Sequence, residues 1–144
     1  MHSSTIFQLT KWRLLNAEQP SISGIRKRAS EGVPFRDMAV LGRFNSQLDR
    51  LRISLMEKNI PVAPMENNSQ VDAIRLLTMH SSKGLEFNTV AIPDLGCMPY
   101  AKAPADEEAR LLYVALTRST ERLLVTYHSE RQFTKQIERL KIMT

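Results

Sequence analysis

Cationic and hydroxyl-bearing residues gather beside three short apolar runs of this sequence. Gly42-Arg43 follows one run, His80-Ser81-Ser82-Lys83-Gly84-Leu85-Glu86 follows a second, and Thr117-Arg118-Ser119 precedes a third. Guanidinium, ammonium and hydroxyl groups bind phosphate oxygens, and an arginine can offer two donors at once. The three clusters therefore predict a site for a phosphate-bearing ligand.

The elements that would position these clusters alternate between strand and helix. Apolar patterns predict strands over residues 37–41, 74–79, 89–93 and 122–127, and helices over residues 46–58, 105–117 and 130–141. Such alternation is typical of a parallel sheet covered by helices on both faces, the doubly wound α/β class. Ligands of these sheets bind beyond the carboxyl ends of the strands, so we expect Arg43, Glu86 and Arg118 on one rim.

The start of the chain is predicted to be helical. Residues 5–16 and 21–31 both have helical patterns, and Ser21 can cap the second helix. We expect residues 1–35 to form a helical N-terminal segment, either part of the domain or the remnant of a linker. Residues 36–144 would then form the main domain.

Composition limits the classes of protein that the chain could belong to. Its 144 residues, 42% of them hydrophobic, are enough to bury a core, and a single cysteine excludes a disulfide scaffold. No histidine lies within four residues of another, so we expect no metal site. No apolar run approaches the ~20 residues that span a bilayer, so we expect a cytoplasmic protein without a membrane partner.

The charge balance favours a polyanionic partner. The formal net charge is +5 and the isoelectric point is about 9.7. Such an excess indicates nucleic acid or phosphate binding, although solvated helical faces also carry it. The phosphate loop Gly-x-x-x-x-Gly-Lys-Ser/Thr does not occur, and Ser82-Lys83-Gly84 has the wrong order. The chain by itself is therefore not a P-loop nucleotidase, but it could be half of one.

Three stretches that contain the clusters resemble motifs of one protein family. TMHSSKGLEF (78–87), followed by NTVAIP, resembles motif V of the UvrD/Rep-type superfamily 1 DNA helicases. EEARLLYVALTRSTERLLVTY (107–127) resembles their motif VI, and DMAVLGRFNSQLDRLRISLMEKNIPV (37–62) is similar to their motif IV. The resemblance implies the C-terminal, second RecA-like domain, with the P-loop NTPase-like fold but without its own P-loop.

The resemblance also implies a nucleotide. In this family ATP with Mg²⁺ is bound mainly by an N-terminal RecA-like domain, which would be a partner in the same or another chain. The second domain closes over the same ATP. Arg43 and Arg118 match the two arginines that contact its γ-phosphate. Glu86 matches the acid near its ribose, and Gly84 matches the glycine at which the backbone approaches the nucleotide.

A DNA-binding role rests on the same resemblance. His80, Ser82 and Lys83 match the part of motif V that faces single-stranded DNA. The implied function is the C-terminal motor half of an ATP-dependent DNA helicase or translocase, an activity that this chain alone does not account for. Larger members insert an accessory domain between motifs IV and V, whereas only residues 63–73 separate them here.

Alternative interpretations stay open at this point. The chain could be a non-catalytic DNA- or protein-binding module that keeps the helicase fold, or a small DNA-binding protein that uses its basic faces. Arg118 could be a cation favoured by the dipole of the preceding helix. Lys83 and Glu86 could be an exposed helical pair of little energetic value.

Overall fold

A five-stranded sheet organises the computed structural model, which describes residues 5–11, 19–64, 71–128 and 132–143. The strands are β1 (Ile6–Lys11), β2 (Met38–Gly42), β3 (Arg75–Thr78), β4 (Phe87–Ile92) and β5 (Ser119–Tyr127). The helices are α1 (Pro20–Ser30), α2 (Asn45–Glu57), α3 (Ala105–Leu116) and α4 (Gln132–Met143). The strand order is β1-β5-β4-β2-β3, and every pair of neighbouring strands is parallel.

The central strands are apolar because both of their faces are covered. β2 is buried at every position. Its Met38 and Val40 pack with α1 and α2 on one face, and its Ala39 and Leu41 pack with α3 and α4 on the other. Strands buried on both faces are typical of parallel sheets. The predicted α/β class is therefore confirmed, as are the predicted helices in the second half of the chain.

The N-terminal strand corrects one prediction. Residues 5–16 were expected to be helical, but Ile6–Lys11 form β1, which pairs with β5 from Ile6↔Arg122 to Lys11↔Tyr127. Residues 12–16 lie outside the described residues. The physical reason is tertiary: pairing with the edge of β5 satisfies the backbone of β1, a contribution that helical periodicity in the sequence does not reveal.

Helix α1 lies directly against the sheet. Its Ile22 and Ile25 are buried among residues of β2 and β5. A Cβ atom on Gly24 would lie 2.6 Å from Cδ1 of Leu124, so glycine permits this close approach. The helix expected over residues 21–31 is thus confirmed and packs on the same sheet as the rest of the domain. Its origin as part of a linker stays a prediction.

We predict that Ile25→Ala will strongly destabilise the chain. Removing a side chain that is 1% exposed leaves a cavity against the sheet, which typically costs about 2–5 kcal/mol of unfolding free energy. Urea denaturation provides the measurement. Lys27→Ala, on the exposed side of the same helix, is the matched control and should change stability by less than about 0.5 kcal/mol. Equal effects of the two substitutions would contradict the packing of α1.

Candidate functional site

The polar clusters lie at opposite ends of the sheet. Arg43 follows β2 and His80 follows β3, so both are at the carboxyl end. Glu86 precedes β4 and Arg118 precedes β5, which places them at the amino end, where Phe87 pairs with Ser119. The expectation that Arg43, Glu86 and Arg118 share one rim is therefore wrong. Position beside a strand does not by itself say which end of the sheet a residue occupies.

At the carboxyl end, the side chain of Arg43 is bound by a buried acid. Its Nε lies 3.1 and 3.0 Å from the two carboxylate oxygens of Glu108, and its Nη2 lies 2.9 Å from Oε2. The two side chains are 13% and 2% exposed. The guanidinium carbon also lies 4.8 Å from the ring centroid of Phe44 and 5.6 Å from that of Tyr100. Arg43 is therefore held within the protein by a charge-assisted fork and two cation–π contacts.

The carboxylate of Glu108 and the side chain of Gln47 add further hydrogen bonds around Arg43. Its Oε1 accepts a further hydrogen bond from the backbone N–H of Tyr100, at 2.6 Å, so the carboxylate joins β2, α3 and the loop before α3. Gln47 fixes the other side, because its Oε1 accepts from the backbone N–H groups of Arg43 and Phe44. The predicted catalytic role of Arg43 gains no support from this arrangement, in which the guanidinium is already paired.

Cys97 completes the carboxyl-end cluster. Its Sγ accepts a hydrogen bond from Nε2 of Gln47 at 3.2 Å. Burial raises the pKa of the Cys97 thiol, and the Gln47 hydrogen bond opposes that shift only in part. The thiol is therefore held protonated near neutral pH and is a poor nucleophile.

The segment after β3 exposes to solvent the side chains of two of the three predicted DNA-binding residues. His80–Ser82 form a single 3₁₀ turn, in which Thr78 Oγ1 accepts from the Ser81 N–H. The side chains of His80 and Lys83 are exposed. Ser82 is fully buried, and its hydroxyl donates to the carbonyl of Met79 at 2.7 Å. The structure thus gives Ser82 a contact that stabilises the turn, while His80 and Lys83 face outward.

Gly84 turns this segment towards the amino end of β4. Its φ of +83° is unfavourable for other residues, and no atom lies within 4 Å of a Cβ placed there. The next carbonyl, that of Leu85, accepts from Nη1 of Arg118 at 3.3 Å. Arg118 also donates from Nε to Val114 O at 2.9 Å. Arg118 is thereby placed beside the backbone that leads into the exposed Glu86.

A cleft of about 480 Å³ opens next to Glu86 at the amino ends of the strands. Its polar lining consists of Arg36, Asp37, Arg75, Glu86, Asn88 and Thr120. The sequence interpretation missed Arg36 and Arg75, for which the only signal was a cation at the start of an apolar run. The buried Arg28 holds Asn88 in place, because its Nη2 donates a hydrogen bond to Oδ1 of Asn88 at 2.9 Å. A further hydrogen bond from Arg28 lowers the pKa of Glu121.

The fold and these two polar ends define a RecA-like α/β domain without a phosphate loop of its own. Residues 64–130 match the model of the UvrD-like helicase C-terminal domain, and the chain therefore carries a domain of that family. A solved structure with the same fold is the C-terminal domain of a possible DNA helicase from Lactobacillus plantarum WCFS1. It has a TM-score of 0.64 and 17% identity, and the match covers 88% of this chain and 75% of that one.

Curated relatives are DNA helicases much longer than this chain. A probable DNA helicase of Mycoplasma pneumoniae is 32% identical in an alignment 133 positions long, which covers 80% of this chain and 23% of the relative. The ATP-dependent DNA helicase Rep of Escherichia coli is 37% identical in an alignment 73 positions long, which covers 46% of this chain and 11% of Rep. The ATP-dependent DNA helicase PcrA of Bacillus subtilis is 40% identical in an alignment 68 positions long, which covers 42% of this chain and 9% of PcrA. The chain thus spans less than a quarter of the length of each.

The described residues contain neither a cluster of metal ligands nor a helix that could cross a membrane. No group of three His, Cys, Asp or Glu side chains in the described ranges is placed to hold a metal ion. No helix within those ranges has the length and apolar character needed to cross a membrane.

We predict that Arg43→Ala will destabilise the chain because it leaves the buried carboxylate of Glu108 without its cation. Breaking a buried ion pair from one side typically costs about 3–5 kcal/mol. Urea denaturation of Arg43→Ala, Glu108→Gln and the double variant gives the coupling energy. Arg110→Ala is the control, because its ion pair with Asp106 is 71% and 74% exposed and should contribute little. Additive losses in the cycle would refute the coupling of Arg43 with Glu108.

Proposed function

We propose that this chain is the C-terminal motor half of an ATP-dependent DNA helicase or translocase. The amino end of its sheet, with Arg118 and Glu86, faces ATP held on a partner RecA-like domain. The carboxyl end of β3, with His80 and Lys83, faces single-stranded DNA. The observation that carries the proposal is the connection between these ends: residues 79–86 run from one end of the sheet to the other without an intervening α-helix.

The amino end has the chemistry that a phosphate requires. Phosphoryl transfer is catalysed mainly by positioning and by neutralising charge, and an arginine supplied from outside the phosphate loop is worth roughly 10³–10⁵ in rate. Arg118 donates from Nε and Nη1 to the carbonyls of Val114 and Leu85. These acceptors are neutral, so exchanging one of them for a phosphate oxygen gains a charge-assisted bond. We therefore assign to Arg118 the role of neutralising charge on the transferred phosphate in the transition state.

Glu86 and Gly84 fit the remainder of a nucleotide. A carboxylate repels phosphate but accepts hydrogen bonds from sugar hydroxyls, so Glu86 suits the ribose. Gly84 has no side chain and open space beside its Cα, which allows the nucleotide or the partner domain to approach the backbone. The Mg²⁺, bound with the ATP on the partner domain, would neutralise phosphate charge there.

The carboxyl end of β3 suits single-stranded nucleic acid. His80 and Lys83 are exposed on either side of the buried Ser82, whose hydroxyl anchors the turn. A cation on a rigid turn can neutralise a backbone phosphate with little loss of entropy. DNA contacts would thus be made by a segment whose far end, at Leu85, is hydrogen-bonded to Arg118.

We predict that Arg118→Ala will lower ATP turnover by about 10³-fold or more when a P-loop domain is supplied in the same or a second chain. The Michaelis constant for ATP should change far less, because the arginine acts on charge that develops in the transition state. Steady-state phosphate release measures both constants. The chain alone, which has no P-loop sequence, should show no turnover.

Two further variants make this test decisive. Arg118→Lys should recover little activity, since an ammonium cannot form the planar fork. Arg110→Ala removes an exposed cation from α3, the helix that precedes Arg118, and should leave turnover unchanged. Thermal melts show whether each variant is folded. Normal turnover in a folded Arg118→Ala protein would refute the assignment and favour the interpretation of Arg118 as a helix-end cation.

We also predict weak, salt-sensitive binding of single-stranded DNA through Lys83. Lys83→Ala should reduce the dependence of log K on log salt by about 0.7, the value of one single-strand phosphate contact. Fluorescence anisotropy with a labelled oligothymidine provides the measurement. Lys27→Ala removes another exposed lysine, in α1, and is the control. An identical salt slope in Lys83→Ala and wild type would exclude this DNA surface.

A further inference from the structure

A buried arginine joins helix α1 to strands β4 and β5. Arg28 is 4% exposed. Its Nε donates to Oγ1 of Thr89 at 3.1 Å, and its Nη2 donates to Oδ1 of Asn88 at 2.9 Å, both on β4. The same Nη2 lies 3.1 Å from Oε1 of Glu121 on β5. One guanidinium thus holds two strands against one helix, and the proposed function does not involve it.

The acceptors of this guanidinium are also bonded to each other. Nδ2 of Asn88 donates to Oε2 of Glu121 at 2.7 Å, and Oγ1 of Thr89 donates to Oδ1 of Asn88 at 2.8 Å. An arginine presents its donors in a fixed plane, which holds several acceptors at defined positions. The helix–strand cluster, which consists of Arg28, Asn88, Thr89 and Glu121, therefore fixes β4 relative to β5.

The helix–strand cluster surrounds a β-bulge. Phe87 pairs with Ser119 and Thr89 pairs with Arg122, so Asn88 alone faces two residues of β5. The backbone ladder is interrupted at a bulge, and bulges beside functional sites redirect a neighbouring side chain. Side-chain bonds of the cluster therefore hold the strands together at the place where the backbone ladder does not.

Arg118 lies directly before the same bulge. Its carbonyl accepts from the backbone N–H of Phe87 at 2.9 Å, and its Nη1 donates to the carbonyl of Leu85 at 3.3 Å. Both bonds join the start of β5 to the start of β4. The helix–strand cluster joins the same two strands on the far side of the bulge. The position of Arg118 relative to β4 is thus fixed by bonds on both sides of the bulge.

We infer that Arg28 is a positioning residue, which holds β4 and β5 in the alignment that places Arg118 and Glu86 against the nucleotide. This inference rests on the proposed function. Arg28 is buried and acts through its partners Asn88 and Glu121. A misplacement of about 1 Å at a reacting centre can lower a rate about 10²-fold, so the loss of such a support is measurable. Helix α1 then belongs to the functional unit of the domain.

The test compares two carboxylates that pair with Arg28. Glu121 connects it to β5, whereas Glu31 follows the end of α1 and pairs with Arg28 at i,i+3. Their side chains are 55% and 40% exposed, so both alanine variants should fold. With a P-loop domain supplied, Glu121→Ala should lower kcat for ATP about tenfold and change KM by less than about twofold. Glu31→Ala is the matched control and should keep both constants within about twofold of the wild type.

A double-mutant cycle separates positioning from a general loss of stability. If the cluster acts through Arg118, Glu121→Ala should lower kcat no further in a protein that already carries Arg118→Ala. Arg28→Lys should resemble Glu121→Ala, because an ammonium group cannot bind acceptors on both strands from one plane. Thermal melts show whether each variant is folded. If Arg28→Lys unfolds, the cycle with the exposed Glu121 still decides the question.

The chain by itself gives a measurement that needs no nucleotide. The Nε–H resonance of Arg118 should shift in Glu121→Ala and keep its wild-type position in Glu31→Ala. An unshifted resonance in Glu121→Ala would contradict the link between the cluster and this side chain.

Three kinetic results would overturn the inference: normal kcat in folded Glu121→Ala, equal losses in the two carboxylate variants, or multiplicative losses in the cycle. Each leaves the proposed function intact, provided that Arg118→Ala still lowers turnover. Normal turnover in Arg118→Ala refutes the proposed function instead. The Nε–H resonance then still shows whether the cluster fixes the side chain of Arg118.

Discussion

Burial of a parallel sheet on both faces is the constraint on which the rest of this structure depends. Helices cover each face, so the central strands present apolar side chains throughout, as β2 does at every position. Polar chemistry is then confined to the two ends of the sheet. Polar clusters lie at both: Arg43 and His80 are at the carboxyl end, and Glu86 and Arg118 are at the amino end.

The two ends differ in how their arginines are paired. The guanidinium of Arg43 bonds to both oxygens of the buried Glu108 and lies between two aromatic rings. Removing such a charge from its partner is costly, and in this structure the arginine links the end of β2 to α3. Arg118 has only neutral acceptors, among them the carbonyl of Leu85. Because these acceptors are neutral, Arg118 can exchange a carbonyl for a negatively charged oxygen without leaving a buried carboxylate unpaired.

The connection between β3 and β4 joins the ends physically. It turns at His80–Ser82, is anchored by the buried hydroxyl of Ser82, and passes through the positive φ of Gly84. Its last carbonyl is the one that Arg118 contacts. A short, tethered segment therefore lies between the exposed turn and the environment of Arg118. This is the structural basis that we propose for coupling a DNA contact to a nucleotide contact.

The sequence by itself determined the α/β class, the positions of β2 to β5 and of helices α1 to α4, and the resemblance to the UvrD/Rep-type helicases. These follow from local periodicity and from motif residues, both of which can be read along the chain. It also predicted that Glu86 and Arg118 share one rim of the sheet, and both lie at the amino end.

Tertiary structure decided the rest. Ile6–Lys11 form a strand because β5 offers an edge with which they pair. Arg43 and Arg118 lie at opposite ends of the sheet because Arg43 follows β2, whereas Arg118 precedes β5. The contact of Arg43 with Glu108 joins residues 65 positions apart, and the burial of Ser82 depends on how its turn packs. Pairing and burial of this kind depend on contacts between distant segments, which local sequence patterns do not encode.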